Sequence, residues 1–136
     1  MSPLKESMKL IEKRKVKVAL RGLLIVFYFV AGVNHFVHPE FYLPLIPSYF
    51  PNPDFINFSS GAVEILLAIG MVTTKYRRIS VVLIILLLVA FIPSHVYFIQ
   101  EGACMGEQSL CAPLWLAWVR LFPIHPLLML WAWYVR

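Results

Sequence analysis

Apolar residues in this chain run in long blocks, and polar residues collect between the blocks instead of alternating with them. Residues 18–36, 56–73, 79–99 and 114–135 are apolar nearly all round, whereas a helix on a soluble domain carries one apolar stripe and one polar face. At 1.5 Å of rise per residue each block reaches across about 30 Å of hydrocarbon, the second only just. The pattern predicts an all-α membrane protein, a bundle of four transmembrane helices forming a single domain over residues 1–136. Residues 1–17 stand apart from the blocks. There Leu4, Met8 and Ile11 recur at helical intervals among basic residues, which predicts a short amphipathic segment on an anionic cytoplasmic leaflet.

Composition agrees with the pattern. The 136 residues are 60% hydrophobic and 14% charged, with a mean hydropathy of +0.77; a soluble domain carries roughly 25% charged residues. The formal net charge of +5 does not point to nucleic acid, because of where the charges lie. Lys5, Lys9, Lys13, Arg14, Lys15, Lys17 and Arg21 crowd the start, and Lys75, Arg77 and Arg78 share one later connection. Connections 37–55 and 100–113 carry only acidic charges, at Glu40, Asp54, Glu101 and Glu107. Basic clusters flanking apolar blocks are topology signals. They place both termini in the cytoplasm and the first and third connections outside, and Arg136 agrees. A basic start before an apolar block also resembles a secretory signal. This block runs too long and lacks a cleavage site, so an uncleaved first span is expected.

Aromatic residues and prolines refine the picture at the block ends. Trp115 and Trp118 fall near the outer end of the fourth block, Trp131 and Trp133 near its inner end. Interfacial belts and packing between helices account for them equally well. The first connection, HPEFYLPLIPSYFPNPDF, holds Pro39, Pro44, Pro47, Pro51 and Pro53, which deny it a continuous helix or an interior strand. Its aromatics, Phe41, Tyr42, Tyr49, Phe50 and Phe55, keep it out of free solution. It is expected to lie ordered at the outer interface, either as a lid over a pocket or as an interfacial anchor.

One residue breaks the apolar pattern. Glu64 lies inside the second block, in SSGAVEILLAIGMVTT, where an intramembrane charge costs about 2.5–3.5 kcal/mol on insertion scales. It sits about eight residues in, or ~12 Å deep, and Arg120 in the fourth block sits about seven residues in, or ~10 Å. Matched depth and opposite charge predict a Glu64–Arg120 ion pair. His35 and His95 belong to the same outer layer, with Asn34, Ser60, Ser94 and Tyr97 adding hydrogen-bonding capacity. His125 lies deeper, between Pro123 and Pro126, where the helix must bend. Every block thus contributes a polar group. The layer reads either as a network that holds the helices together or as a pocket, with His35, Glu64, His95, Arg120, Tyr97 and Asn34 as candidate ligand-binding residues. Gly61 and Ala68 share one side of the second block and permit close helix approach.

The two cysteines, Cys104 and Cys111, share the third connection. On the exterior side disulfides persist, so a structural staple is expected, with a redox-active pair as the sharper alternative. The spacing is not C-x-x-C and lends that alternative no specific support. His35 and His38 alone do not make a metal site. No P-loop, dinucleotide fingerprint, zinc-ligand spacing or serine elbow occurs, so no intrinsic cofactor is expected.

The string AGVNHFVHPEFYLPLIPSYFPNPDF, followed by SSGAVEILLAIGMVTTKYRR, resembles the DoxX-like family of small four-helix membrane proteins. The shared features are Gly32-x-x-His35-Phe36, the Pro/aromatic first connection, Gly61-x-x-Glu64 and a basic turn into the third block. The resemblance implies an accessory subunit of a quinone-linked membrane redox system, with a quinone or similar small amphiphile in an outward-facing polar pocket. It implies an alternative as well, a non-enzymatic assembly factor that packs against a client membrane protein. A small transporter is the third reading. The expected location is the inner (plasma) membrane of a bacterium, with the lipid bilayer and a redox partner or client protein as partners.

Overall fold

The first apolar block does not begin a helix of its own. In the computed structural model, which describes residues 3–105 and 110–136, helix α1 runs unbroken over Pro3–Val37. Its 35 residues rise about 52 Å, well beyond a hydrocarbon layer. Between Leu4 and Arg21 there is neither Gly nor Pro, and Lys, Glu, Arg and Leu are strong helix formers. The basic segment therefore shares the axis of the first span.

Helix α2, Pro53–Val72, opens on Asn52, whose backbone is left-handed (φ 56°, ψ 68°) and whose side chain accepts from the Phe55 amide at 3.3 Å. Asn tolerates that conformation and caps well, and Pro53 suits the first helical position. Helix α3 covers Arg77–Gln100 and contains Pro93. The fourth block divides into α4, Leu114–Val119, and α5, His125–Tyr134. A wide turn over Arg120–Ile124 joins them, where Phe122 leaves helical geometry (φ −149°, ψ 115°). Pro123 disfavours the helical region for the residue before it, which puts the expected bend at Phe122.

Among the described residues, four helical stretches are long and apolar enough to cross a membrane, Pro3–Val37, Pro53–Val72, Arg77–Gln100 and Leu114–Tyr134. The connection between α1 and α2 folds into two short 3-10 turns, Pro39–Phe41 and Leu43–Leu45. The third connection departs from helix altogether. Gly102 and Ala103 take positive φ and lead into an antiparallel pair, β1 Cys104–Met105 and β2 Leu110–Cys111. Cys104 sits opposite Cys111, and the two form the expected disulfide.

Two apolar clusters hold the bundle. The larger joins Leu24 and Tyr28 of α1, Met71 of α2, Ile84 and Leu88 of α3, and Ala132 of α5. The smaller gathers Phe98, Ala103, Met105 and Ala117 beneath the hairpin. The Arg21 side chain donates to the Val135 carbonyl at 2.9 Å, and the Trp131 indole to the Leu20 carbonyl at 3.1 Å, tying α1 to the end of α5. Trp131 thus serves packing, whereas Trp115, Trp118 and Trp133 are exposed on the flanks, as residues facing lipid are.

Candidate functional site

The site begins at the seam between α1 and α2. Tyr28, Gly32 and His35 share the buried stripe of α1; Asn57, Gly61 and Glu64 share that of α2. A Cβ on Gly32 would lie 2.7 Å from the Gly61 carbonyl oxygen, and one on Gly61 would lie 2.6 Å from the His35 Cβ. Only glycine at both positions lets the backbones approach this closely.

That approach places His35 beside two α2 side chains. Asn57 Nδ2 donates to the His35 carbonyl at 2.9 Å. This fixes the amide, so Asn57 Oδ1 accepts from His35 Nδ1 at 2.7 Å. With its proton on Nδ1, a neutral His35 turns a lone pair on Nε2 toward Glu64 Oε2, 3.6 Å away. At that separation the two groups face each other without a hydrogen bond. Glu64 Oε2 is buried and has no hydrogen-bond partner among the described residues. The His35 ring stacks on Tyr42 at 3.6 Å between centroids, and Asn34 donates to the Tyr42 hydroxyl at 2.9 Å.

His35, Tyr42, Asn57 and Glu64 face a cavity of about 410 Å³. Its α3 wall is Leu87, Phe91, Ser94, His95 and Phe98, one face of a helix at spacings of three and four. Tyr42, Leu45, Ile46, Pro47 and Phe50 of the first connection line it as well, and Arg120 enters from the end of α4. A second cavity of about 250 Å³ lies deeper, bounded by Tyr28, Leu88, His125 and Leu128. Glu64, Phe91, His95 and Arg120 line both. His125 donates through Nε2 to the Leu88 carbonyl at 2.6 Å and sets its ring edge-on to His95 at 4.8 Å.

The expected ion pair is not formed. Glu64 and Arg120 share the cavity, but the nearest charge partner of Glu64 is His35, and the Arg120 guanidinium lies over the Phe98 ring at 5.4 Å. The reason is azimuth. Equal depth brings two residues to one layer, but the glycine seam turns Glu64 toward α1.

Of the candidates drawn from the sequence, His35, Glu64, His95 and Arg120 line the cavity, and Asn34 and Tyr97 do not. Asn34 is one residue, or about 100° of helix rotation, from His35 and supports Tyr42 from behind. Tyr97 is two residues from His95 and packs against the cluster beneath the hairpin. Sequence reasoning passed over Asn57 and Tyr28, and named Tyr42 only among the aromatics of the first connection. Asn57 was within reach, since it precedes Glu64 by two helical turns on the same face. Tyr42 was not, because its position depends on how the proline-rich connection folds.

A mostly apolar cavity with a few buried polar groups, within four helices long and apolar enough to cross a membrane, defines an integral membrane protein of the four-helix-bundle class. The chain belongs to the family described as "Domain of unknown function (DUF8561)", whose profile matches residues 24–136. No curated protein matches the chain, and no solved structure does.

Proposed function

We infer that this protein binds a quinone, or a small amphiphile of like chemistry, beneath its first connection, and serves a membrane redox system as an accessory subunit. The observation that carries this reading is the buried Glu64 oxygen at the cavity wall, without a hydrogen-bond partner among the described residues and 3.6 Å from His35 Nε2. A buried polar atom of this kind costs about 1–3 kcal/mol if left unsatisfied, and a ligand hydroxyl meets its need. Opposite it, Arg120 and the His95 ring present donors suited to a carbonyl oxygen. Mostly apolar walls with a few convergent polar groups are what small-molecule sites present. A quinone–quinol couple carries both a carbonyl and a hydroxyl form on one ring, and the resemblance to DoxX-like proteins favours that class. Electrons come from a partner redox protein. The work of this chain's residues is to orient the ring and to exchange protons at the His35–Glu64 pair.

The test is direct. Protein purified in mild detergent is extracted with organic solvent and the extract searched for quinones by mass spectrometry, then titrated with a short-chain quinone. Wild type is expected to carry or take up quinone, and Glu64→Gln and Arg120→Gln each to weaken uptake by about 10-fold or more, the scale of one charged hydrogen bond. A protein that takes up no quinone but retains a stable protein partner overturns this reading in favour of an assembly factor.

A further inference from the structure

The opposite end of the bundle carries a second depression, of about 450 Å³, which the cavity chemistry leaves unused. Lys17 of α1, Arg78 of α3 and Arg136 after α5 converge on it, and Val81, Val82 and Trp133 form its apolar wall. Three cations, from α1, from α3 and from the residue after α5, meet at one place, and among the described residues none of them forms an ion pair with a carboxylate.

Two of the three cations lie over aromatic faces. The Arg136 guanidinium lies 3.5 Å from the centroid of the Trp133 ring, and Lys17 Nζ lies 5.9 Å from that of Tyr134. Stacking uses the face of the guanidinium and leaves its N–H edges free, the fork that matches phosphate oxygens. The neighbouring Arg21 and Arg77 are engaged elsewhere, through Nε, by the carbonyls of Val135 and Met71.

The apolar wall decides what kind of phosphate fits. Val82 and Trp133 are about half exposed on the flank of the bundle, and Val82 shares an exposed stripe with Leu86 and Val89. At spacings of four and three these residues follow one face of α3. The depression therefore opens onto a lipid-facing track.

We propose that this groove binds an anionic phospholipid, its phosphate held by Lys17, Arg78 and Arg136 and one acyl chain laid along Val82, Leu86 and Val89. Basic pockets between helix ends are suited to acidic head groups, and each basic residue near an anionic lipid surface adds a favourable increment. The proposal does not depend on the quinone reading.

Native mass spectrometry of the full chain, titrated with phosphatidylglycerol and phosphatidylcholine of identical chains, tests it. Phosphatidylglycerol is expected to bind about 10-fold or more tighter, and Lys17→Gln/Arg78→Gln/Arg136→Gln to abolish the preference, at about five-fold per cation removed. A control, Lys13→Gln/Arg14→Gln/Lys15→Gln, removes equal charge from the exposed start of α1 and should keep it. Arg78→Gln alone, at an exposed side chain, should weaken phosphatidylglycerol about five-fold and decides the matter if the triple variant misfolds. Equal binding of the two lipids, equal loss in the control, or unchanged affinity in Arg78→Gln would overturn the proposal. So would inorganic phosphate alone stabilising the detergent-solubilised protein through the same three residues, since that would make the site one for a soluble anion.

Discussion

His35 is held on three sides before any ligand arrives: Asn57 at its Nδ1 and its carbonyl, Tyr42 on its ring face, Glu64 beyond its Nε2. Asn57 does for this imidazole what a tautomer-fixing partner does in other histidine sites, setting which nitrogen carries the proton. Replacing Asn57 with Ala removes both hydrogen bonds and leaves a buried donor and acceptor unmet. The expected cost is about 1–3 kcal/mol, read as a lower midpoint in denaturant titration of the detergent-solubilised protein. Energetic coupling should follow contact, not charge alone. In double-mutant cycles, His35→Ala with Glu64→Gln should show coupling of about 0.5–3 kcal/mol, and Glu64→Gln with Arg120→Gln a smaller value. A larger coupling for the second pair would restore the ion pair that the structure does not form. The sequence made Glu64 legible as a residue out of place, and hydropathy placed its depth. It could not show which helix Glu64 faces, because depth is one coordinate and helix rotation is another. That second coordinate was set by two glycines.

Those glycines act at the scale of the element. A Cβ added at Gly32 would meet the Gly61 carbonyl oxygen at 2.7 Å and one at Gly61 the Gly32 carbonyl oxygen at 2.8 Å, whereas a Cβ on Gly22 would meet nothing within 4 Å. Gly61→Ala or Gly32→Ala must push α1 from α2, costing about 1–3 kcal/mol as overpacking does, and should weaken the ligand site by shifting His35 from Glu64. Gly22→Ala should instead be neutral or stabilise by up to about 1 kcal/mol, the helix preference of alanine. Equal effects at Gly22 and Gly61 would show that the seam is not the constraint. The disulfide closes a sequence separation of 7 over a hairpin whose Met105 packs into the smaller cluster. Short loops gain least from such a link, about 2 kcal/mol. Cys104→Ser/Cys111→Ser should lower the melting temperature and leave quinone uptake intact; lost uptake at unchanged stability would point to thiol chemistry. The four spans were readable because hydropathy changes sharply at their ends. The true start of α1 was not, since helix propensity continues where hydropathy falls, and strands of two residues carry no period to read.

At the scale of the whole molecule, charge and architecture divide along the same axis. Lys17, Arg78 and Arg136 meet at one end of the bundle, and the cavity, its proline-rich cover and the disulfide hairpin lie toward the other. The first and third connections hold no Lys or Arg. Basic connections stay in the cytoplasm during insertion, so this division predicts a cavity that opens to the exterior and a phosphate groove that faces the cytoplasmic leaflet, the leaflet with the negative surface potential. The oxidising side would then be the side on which Cys104 and Cys111 are joined. Labelling of intact cells with an impermeant maleimide measures the orientation. One variant carries Lys75→Cys with both native cysteines replaced by Ser; the other retains Cys104 and carries Cys111→Ser. The retained Cys104 should react in intact cells, and the thiol at position 75 only after permeabilisation. The reverse pattern would invert the molecule, turn the cavity toward the cytoplasm and remove the charge argument on which the leaflet assignment rests.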